Sequence, residues 1–340
     1  MTEDRLDIDF IDKRITESLS FLEKHFTQTQ NFSSEPLFRS ALEVLRTNAL
    51  GGKHLRPRLV HIAAGDVSGD QRTTAVIFGG AVELLHAALL VHDDLIDDDP
   101  YRRGKPTLHE QIATASGNRN VGMSAAILAG DMGLLAMFQA LSSSELSDAM
   151  VRKACAMMAG FSLQTVYGEM LDVSHRIASG GGSDAIRVAD VAETNSAASF
   201  DIVRASNFFK TSLYTFTAPL HLGALAAGRD DPDTLDALSA VADPLGQAYQ
   251  AADDIAGAVA PMEDTGKVTG GDLTQDRRTV LTMRLHTMSL PEAVKAVADE
   301  AYDHIADARQ AVQSPALTPV TRAGLNNVIT RVERSVRTYV

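Results

Sequence analysis

Apolar residues recur along this chain with a helical rather than an alternating period. Over residues 37–50 (LFRSALEVLRTNAL), Leu37, Ala41, Leu45 and Ala49 share one stripe, the spacing of a helix with one buried face. Residues 75–91 (AVIFGGAVELLHAALLV) are apolar on most sides, as a helix in the middle of a core would be. The same period predicts helices over 121–141, 151–171, 187–194, 200–228, 233–256 and 291–313. No Asn-Gly or Asp-Gly pair joins two alternating runs, and Pro36, Pro57, Pro100, Pro106, Pro232, Pro261 and Pro291 mostly punctuate the helical stretches. An all-α protein of roughly ten or more helices is expected, the longer ones antiparallel neighbours.

Residues 121–141 (VGMSAAILAGDMGLLAMFQAL) are long enough to span a bilayer, which takes about 20 residues. Asp131 at the middle argues against insertion, because a carboxylate there costs roughly 2.5–3.5 kcal/mol. Three glycines thin the hydrophobicity further. This segment is read as a helix buried on all sides in a helical core, and no transmembrane segment is expected. The run Ser179-Gly180-Gly181-Gly182-Ser183 reads as a loop, since helical character resumes at once and related chemistry lies on both sides. A single domain over residues 1–340 follows.

Composition narrows the partners. With 31 Lys+Arg against 44 Asp+Glu, the net charge of −13 argues against a general nucleic-acid surface, which needs clustered cations. The single cysteine, Cys155, removes any intramolecular disulfide framework and any cysteine-based zinc site. The N-terminal MTEDRLDIDF is acidic and lacks the basic-then-apolar run of a signal peptide, so a cytoplasmic location is expected.

Two apolar helices end in Asp-Asp. In HDDLIDDDPYRRGKPTLH (92–109), Asp93 and Asp97 stand four apart, as do Asp94 and Asp98. On a helix each pair shares a face, with Cβ atoms about 5–6 Å apart. Like charges so placed cost a few tenths of a kcal/mol, and hard oxygen ligands at that separation suit Mg²⁺ bridged to substrate phosphates. The second cluster is QAADDIAG (250–257), with Asp253 and Asp254. A solvated acidic helix end accounts for one such cluster. It accounts less well for two, each closing an apolar helix and each followed by cations: Arg102 and Arg103 after the first, Lys267, Arg277 and Arg278 after the second. Carboxylates for a metal with Arg and Lys for phosphate oxygens compose a diphosphate site. If both helices present these ends to one cavity, a metal–diphosphate complex would lie there.

Other cations point the same way. GGKHLRPR (51–58) pairs two glycines with Lys53, Arg56 and Arg58. It is not a P-loop, and alone it reads as a helix C-cap followed by a basic turn. His86 lies on an apolar face seven residues before Asp93, where a histidine is more often a satisfied core residue. Lys210-Thr211 interrupts the apolar run SNFFKTSLYTFTAPL, where a lysine can snorkel.

Taken together, GGKHLRP, HDDLIDDDPYRRGKPTLH, ILAGD, KTSLYTFTAPLHLGA, AYQAADD and GKVTGGDL resemble, in order and spacing, the all-trans isoprenyl diphosphate synthases, or polyprenyl synthetases, from about residue 37 to about 283. The resemblance implies a large helical bundle of the isoprenoid synthase type with a central active-site cavity, acting as a homodimer. It implies head-to-tail condensation of isopentenyl diphosphate with an allylic diphosphate (dimethylallyl, geranyl or farnesyl diphosphate) in the presence of Mg²⁺, about two or three ions per site. By the same resemblance Lys53, Arg56, His86 and Arg103 grip isopentenyl diphosphate. Asp93 and Asp97, with Asp94 beside them, hold Mg²⁺ on the allylic diphosphate, which Arg102, Lys210, Thr211 and Gln250 surround. Asp253, with Asp254, is the second set of metal ligands, followed by Lys267 and Arg277.

Two departures stand out. Gly257 occupies the last position of the second aspartate motif, where the family usually has aspartate, and Asp276-Arg277-Arg278-Thr279 replaces Gly-Lys-Arg-Thr. Arg277 keeps a positive charge but exchanges a compact ammonium for a planar fork. In the family a bulky aromatic four or five residues before the first motif stops growth at short products. Here those positions are Leu89 and Ala88, an open floor that implies a C20 (geranylgeranyl) or longer product. A terpene cyclase is one rival, but Asn195 and Ser199 are followed by Val203 where its motif needs glutamate. An HD-type phosphohydrolase could use His92-Asp93, and a non-catalytic regulatory subunit is the non-enzyme reading. The phosphohydrolase would not explain the second Asp-Asp helix or Lys210-Thr211, and the intact first-motif residues speak against the regulatory subunit, for which Gly257 leaves a little room.

Overall fold

A computed structural model describes residues 9–179, 197–260 and 279–340. The helix expected over 187–194, and Lys267, Arg277 and Arg278, lie outside the described residues. Among the described residues the chain is helical except for one short hairpin, as expected of an all-α protein. Contacts divide it into two compact units, Met1–Met157 with Pro219–Asp230, and Met158–Ala218 with Asp231–Val340.

The first unit is built around α4 (Gly69–Ile96), against which α1 (Phe10–Gln30), α2 (Pro36–Leu50), α3 (Leu55–Ala64) and α6 (Arg119–Ser142) pack. The helix opening at Pro36 uses proline where its missing N–H is harmless, and the Glu35 side chain accepts from Phe38 N. Phe78, Leu84, Leu85 and Ala88 on α4 are buried at 2% exposure or less, as an all-round apolar helix requires. After α4 the chain forms a two-stranded hairpin, β1 (Tyr101–Arg102) and β2 (Lys105–Pro106). Its turn is Arg103-Gly104, at φ +51° and +73°. Both turn residues have the positive φ of a type I′ hairpin, although the turn is neither Asn-Gly nor Asp-Gly. α5 (Leu108–Ser116) follows and packs on α6.

The three glycines of α6 do more than lower its hydrophobicity. A Cβ on Gly130 would lie 2.0 Å from His92 Nε2, and one on Gly133 would lie 2.8 Å from Ala88 Cβ and 2.9 Å from Leu45 Cδ2. α6 therefore approaches α4 through small residues. The other side of α6 is not buried: Val121, Met123, Ile127, Leu128 and Leu135 are 39–70% exposed, so burial on all sides is corrected. Asp131 is exposed too, with His92 Nε2 at 3.6 Å. Both α4 and α6 are long and apolar enough to cross a membrane, with 78% and 44% of the apolar window buried. For α4 that burial is the signature of a core helix.

In the second unit the residues predicted as one helix over 200–228 divide into α8 (Ala197–Asn207), a π-helical stretch Phe208–Thr217 and the start of α9 (Ala218–Ala226). α10 (Pro232–Val259) packs against the π-helical stretch and against α12 (Leu290–Ala311) and α13 (Pro319–Thr338). The short α11 (Val280–Arg284) adjoins α12, and α7 (Asp148–Ser179) supplies residues from Met158 onward. Asp231 caps α10 by accepting from Thr234 N, with Pro232 just inside.

Candidate active site

A cationic group gathers in the first unit where α2 gives way to α3. Gly51 and Gly52, the latter at φ +114°, seat the Arg103 guanidinium: a Cβ on Gly52 would lie 2.8 Å from Nη2, and one on Gly51 2.9 Å from Nη1. The doublet that reads as a helix cap is also a close-approach site for the hairpin turn. Exposed Lys53 follows, then His54 in the left-handed region at φ +48°, then Arg56 in the first turn of α3. His86 on α4 is half-buried and is held well below its ordinary pKa, first by burial and then by Arg56, Arg103, Arg102 and His54. The structure thus brings Arg56, His86 and Arg103 together. A neutral imidazole crowded by cations is a place that receives an anion.

One member of this group was missed. Glu83, 2% exposed, lies one turn before His86 with Oε2 3.5 Å from His54 Nδ1. It is the only carboxylate in the run 75–91, and a lone buried acid in an apolar helix is a legible signal. Its place against His54 ties the cationic loop to α4.

The aspartates stand at the C-terminal end of the same helix. Asp97 caps α4, its N–H bonding Asp93 O at 2.9 Å, so Asp93 and Asp97 keep their helical relation. The Asp94–Asp98 pair does not form. Asp98 adopts φ +54°, leaves the helix and binds Arg119 at 2.7 Å. Arg102, only 18% exposed along its side chain, pairs with Asp94, with Asp93 at 3.2 Å and with Asp99 at 3.9 Å. One guanidinium here faces three carboxylates at the negative end of a helix dipole. That surplus of hard oxygen donors fits a divalent cation.

Burial, only partly offset by Arg102, pushes the Asp94 carboxyl up to about 6 from 3.8. Its folded value is above its unfolded value, so the folded state holds the proton more tightly. This group therefore weakens the fold as pH rises from about 4 to about 6. In Mg²⁺-free buffer, Asp94→Asn is expected to gain about 2 kcal/mol on the wild type between pH 4 and pH 7 in denaturant melts. A pH-independent difference between the two proteins would contradict this.

In the second unit Lys210 and Thr211 lie in the π-helical stretch; such stretches are frequent at functional sites. Lys210 Nζ lies 2.9 Å from Glu169 Oε2 and 3.7 Å from Asp172 Oδ2, both on α7. Neither acid belongs to a motif recognised in the sequence. Thr211 donates to Gln250 Oε1 at 2.7 Å, and Gln250 Nε2 donates to Asp254 Oδ1 at 2.7 Å. The relay fixes Asp254 inward at 4% exposure, while its neighbour Asp253 is exposed. The two aspartates read as equivalent in the sequence thus face opposite ways.

The floor expected beneath Asp93 also changes. Ala88 is fully buried against Gly133 and Leu45 and borders no open space, whereas Leu89 is half-exposed. Of the two residues only Leu89 reaches accessible space.

Comparison with known proteins agrees with these findings. The sequence is 32% identical to farnesyl diphosphate synthase of Escherichia coli over 266 residues, 78% of each chain. It is 31% identical to geranylgeranyl diphosphate synthase of Sulfolobus acidocaldarius over 237 residues, 69% of this chain and 63% of that relative's length. The fold matches a crystal structure of geranylgeranyl pyrophosphate synthase from Corynebacterium glutamicum complexed with isoprenyl diphosphate and magnesium, with a TM-score of 0.78 over 97% of this chain and 100% of that one at 23% identity. The Polyprenyl synthetase family profile matches residues 39–315. The chain belongs to the polyprenyl synthetase family of prenyltransferases.

Proposed function

We propose that this protein condenses isopentenyl diphosphate with an allylic diphosphate, head to tail, to give an all-trans prenyl diphosphate of C20 or longer. The observation that carries the reading is the arrangement along α4: Arg56, His86 and Arg103 gather on one stretch of the first unit, and Asp93 and Asp97 stand at the helix end beyond. The cations would hold isopentenyl diphosphate, with Lys53 added from the loop. The carboxylates Asp93 and Asp97 would hold Mg²⁺ in the first unit, and exposed Asp253 would serve as a metal ligand in the second. Mg²⁺ bound there would stabilise the negative charge that grows on the allylic diphosphate as its C–O bond breaks. Arg102 in the first unit, and Lys210 with Thr211 in the second, would each neutralise diphosphate oxygens. The alkene of isopentenyl diphosphate then attacks the C1 cation and a proton departs, with diphosphate as its acceptor. Apolar helix walls keep water from quenching the cation.

The exposed face of α6 supports a homodimer. Five large apolar side chains on one helix form the kind of patch that a second copy covers. We place the enzyme in the cytoplasm.

Chain length rests on Leu89. Leu89→Phe is expected to shift the main product to a shorter chain with turnover largely kept. Ala88→Phe is instead expected to cost about 1–3 kcal/mol of stability, since it overpacks against Gly133. Reversed-phase chromatography of the products, beside thermal melts, separates the two. An unchanged product from Leu89→Phe would remove Leu89 from the floor.

The whole reading is tested by incubating the protein with Mg²⁺, radiolabelled isopentenyl diphosphate and each allylic primer in turn. Prenyl diphosphates longer than the primer are expected, and only when both substrates are present. Primer consumed without isopentenyl diphosphate would overturn the reading in favour of a cyclase or a phosphohydrolase.

A further inference from the structure

The hairpin that carries Arg102 and Arg103 is bracketed by three side chains which the condensation does not use. Asp98 stands before it, and His109 and Glu110 stand after it in the first turn of α5. Their ligand atoms all lie within 4.8 Å of one another. His109 Nε2 is 3.8 Å from Asp98 Oδ1 and 3.7 Å from Glu110 Oε1, too far for hydrogen bonds. Ligands around a tetrahedral zinc ion with bonds of about 2.0–2.1 Å stand about 3.3 Å apart, so side-chain shifts of about half an ångström would bring the two carboxylates to ligand distance of His109.

The state of the ring decides what the pocket wants. His109 is 3% exposed, and its Nε2 is buried without a hydrogen-bond partner. The Thr107 hydroxyl spends its one proton on a backbone carbonyl, Asp99 O at 2.8 Å or Pro100 O at 3.4 Å. Thr107 Oγ1 must therefore accept from His109 Nδ1, at 3.2 Å. A neutral ring so fixed turns the bare lone pair of Nε2 toward two carboxylates. Burial keeps the imidazole pKa below its ordinary value, against the pull of Glu110 and Asp98. An N–H fixed on one side and a lone pair presented on the other is how metal-binding histidines are oriented. Arg119 donates to Asp98 Oδ1 at 2.7 Å, and the same oxygen, which faces His109 Nε2, keeps a lone pair for an ion.

We propose that Asp98, His109 and Glu110 form a second metal site, for a borderline divalent ion of the zinc class, which staples together the two ends of the Tyr101–Pro106 hairpin. The imidazole selects against Mg²⁺, which prefers oxygen donors in octahedral array. With three protein ligands, water would complete the coordination. The staple would hold Arg102 and Arg103 in place, while the binding of the ion itself does not depend on the reaction proposed above.

The test is calorimetric titration of the full-length protein with ZnCl₂ in millimolar MgCl₂, which occupies the aspartate ligands beforehand. The wild type is expected to bind about one Zn²⁺ per chain, and His109→Gln and Glu110→Gln to bind it at least about tenfold more weakly. Co²⁺ in place of Zn²⁺ should give the visible absorption of a nitrogen-ligated, low-coordinate ion, and His109→Gln should lose it. Glu110 is only half-buried, so Glu110→Gln decides the matter if His109→Gln fails to fold. No zinc uptake by the wild type, or undiminished uptake by Glu110→Gln, would overturn the site.

Discussion

Replacing Asp93 or Asp97 with alanine is expected to slow turnover by about 10³-fold or more, near 4 kcal/mol of transition-state stabilisation. The argument begins with the helix end. Carboxylates are unfavourable at the C-terminus of a helix, where the dipole is negative, yet Asp93, Asp94 and Asp97 crowd the last turn of α4. A structure tolerates such crowding when a cation removes it. Arg102 supplies one positive charge against three carboxylates, and Mg²⁺ would supply the rest. Loss of one ligand then weakens the charge stabilisation available as diphosphate leaves. Steady-state assays at saturating Mg²⁺ check this, and activity within tenfold of wild type would dismiss these residues as metal ligands.

Arg102→Ala is expected to produce the largest loss of stability. It strips the shared cation from Asp94, which is 5% exposed, and from Asp99, which is 6% exposed. Breaking a buried ion pair by removing one partner costs about 3–5 kcal/mol, because an uncompensated charge remains inside. A fall in melting temperature on the order of 10 °C follows for a chain of this size. Part of the loss should return on adding Mg²⁺, since a divalent ion can neutralise the same carboxylates, and Arg102→Lys should recover less than the wild type because it cannot fork across two of them. A change below about 1 kcal/mol in Mg²⁺-free buffer would show that the pairing is a surface affair.

The elements that carry function were largely legible. Helical periodicity located α2, α6, α10 and α12 to within a few residues and found α4 short by more than a turn at each end, because each buries a stripe or a whole surface. What escaped were features with no periodic signature. The Arg103-Gly104 hairpin depends on two positive φ angles, only one of them at a glycine. The π-helical stretch around Lys210 has the same apolar spacing as its neighbours and differs only in hydrogen-bond register. Glu169 and Asp172 meet Lys210 from another helix, a contact that spacing along one segment cannot reveal.

By itself the sequence determined the residue types at the site and the helices that bear them. Carboxylates four apart, a basic loop after two glycines and a lysine–threonine pair in an apolar run are local facts, set by covalent order and the helical repeat. The tertiary structure decided which of two neighbouring residues faces outward. It sent Asp253 to solvent and Asp254 into the Gln250 relay, buried Ala88 on Gly133 while leaving Leu89 half-exposed, and turned Asp98 away from Asp94 toward Arg119. Adjacent residues on a helix differ by about 100° in direction. Only the helices packed alongside can settle which direction is inside.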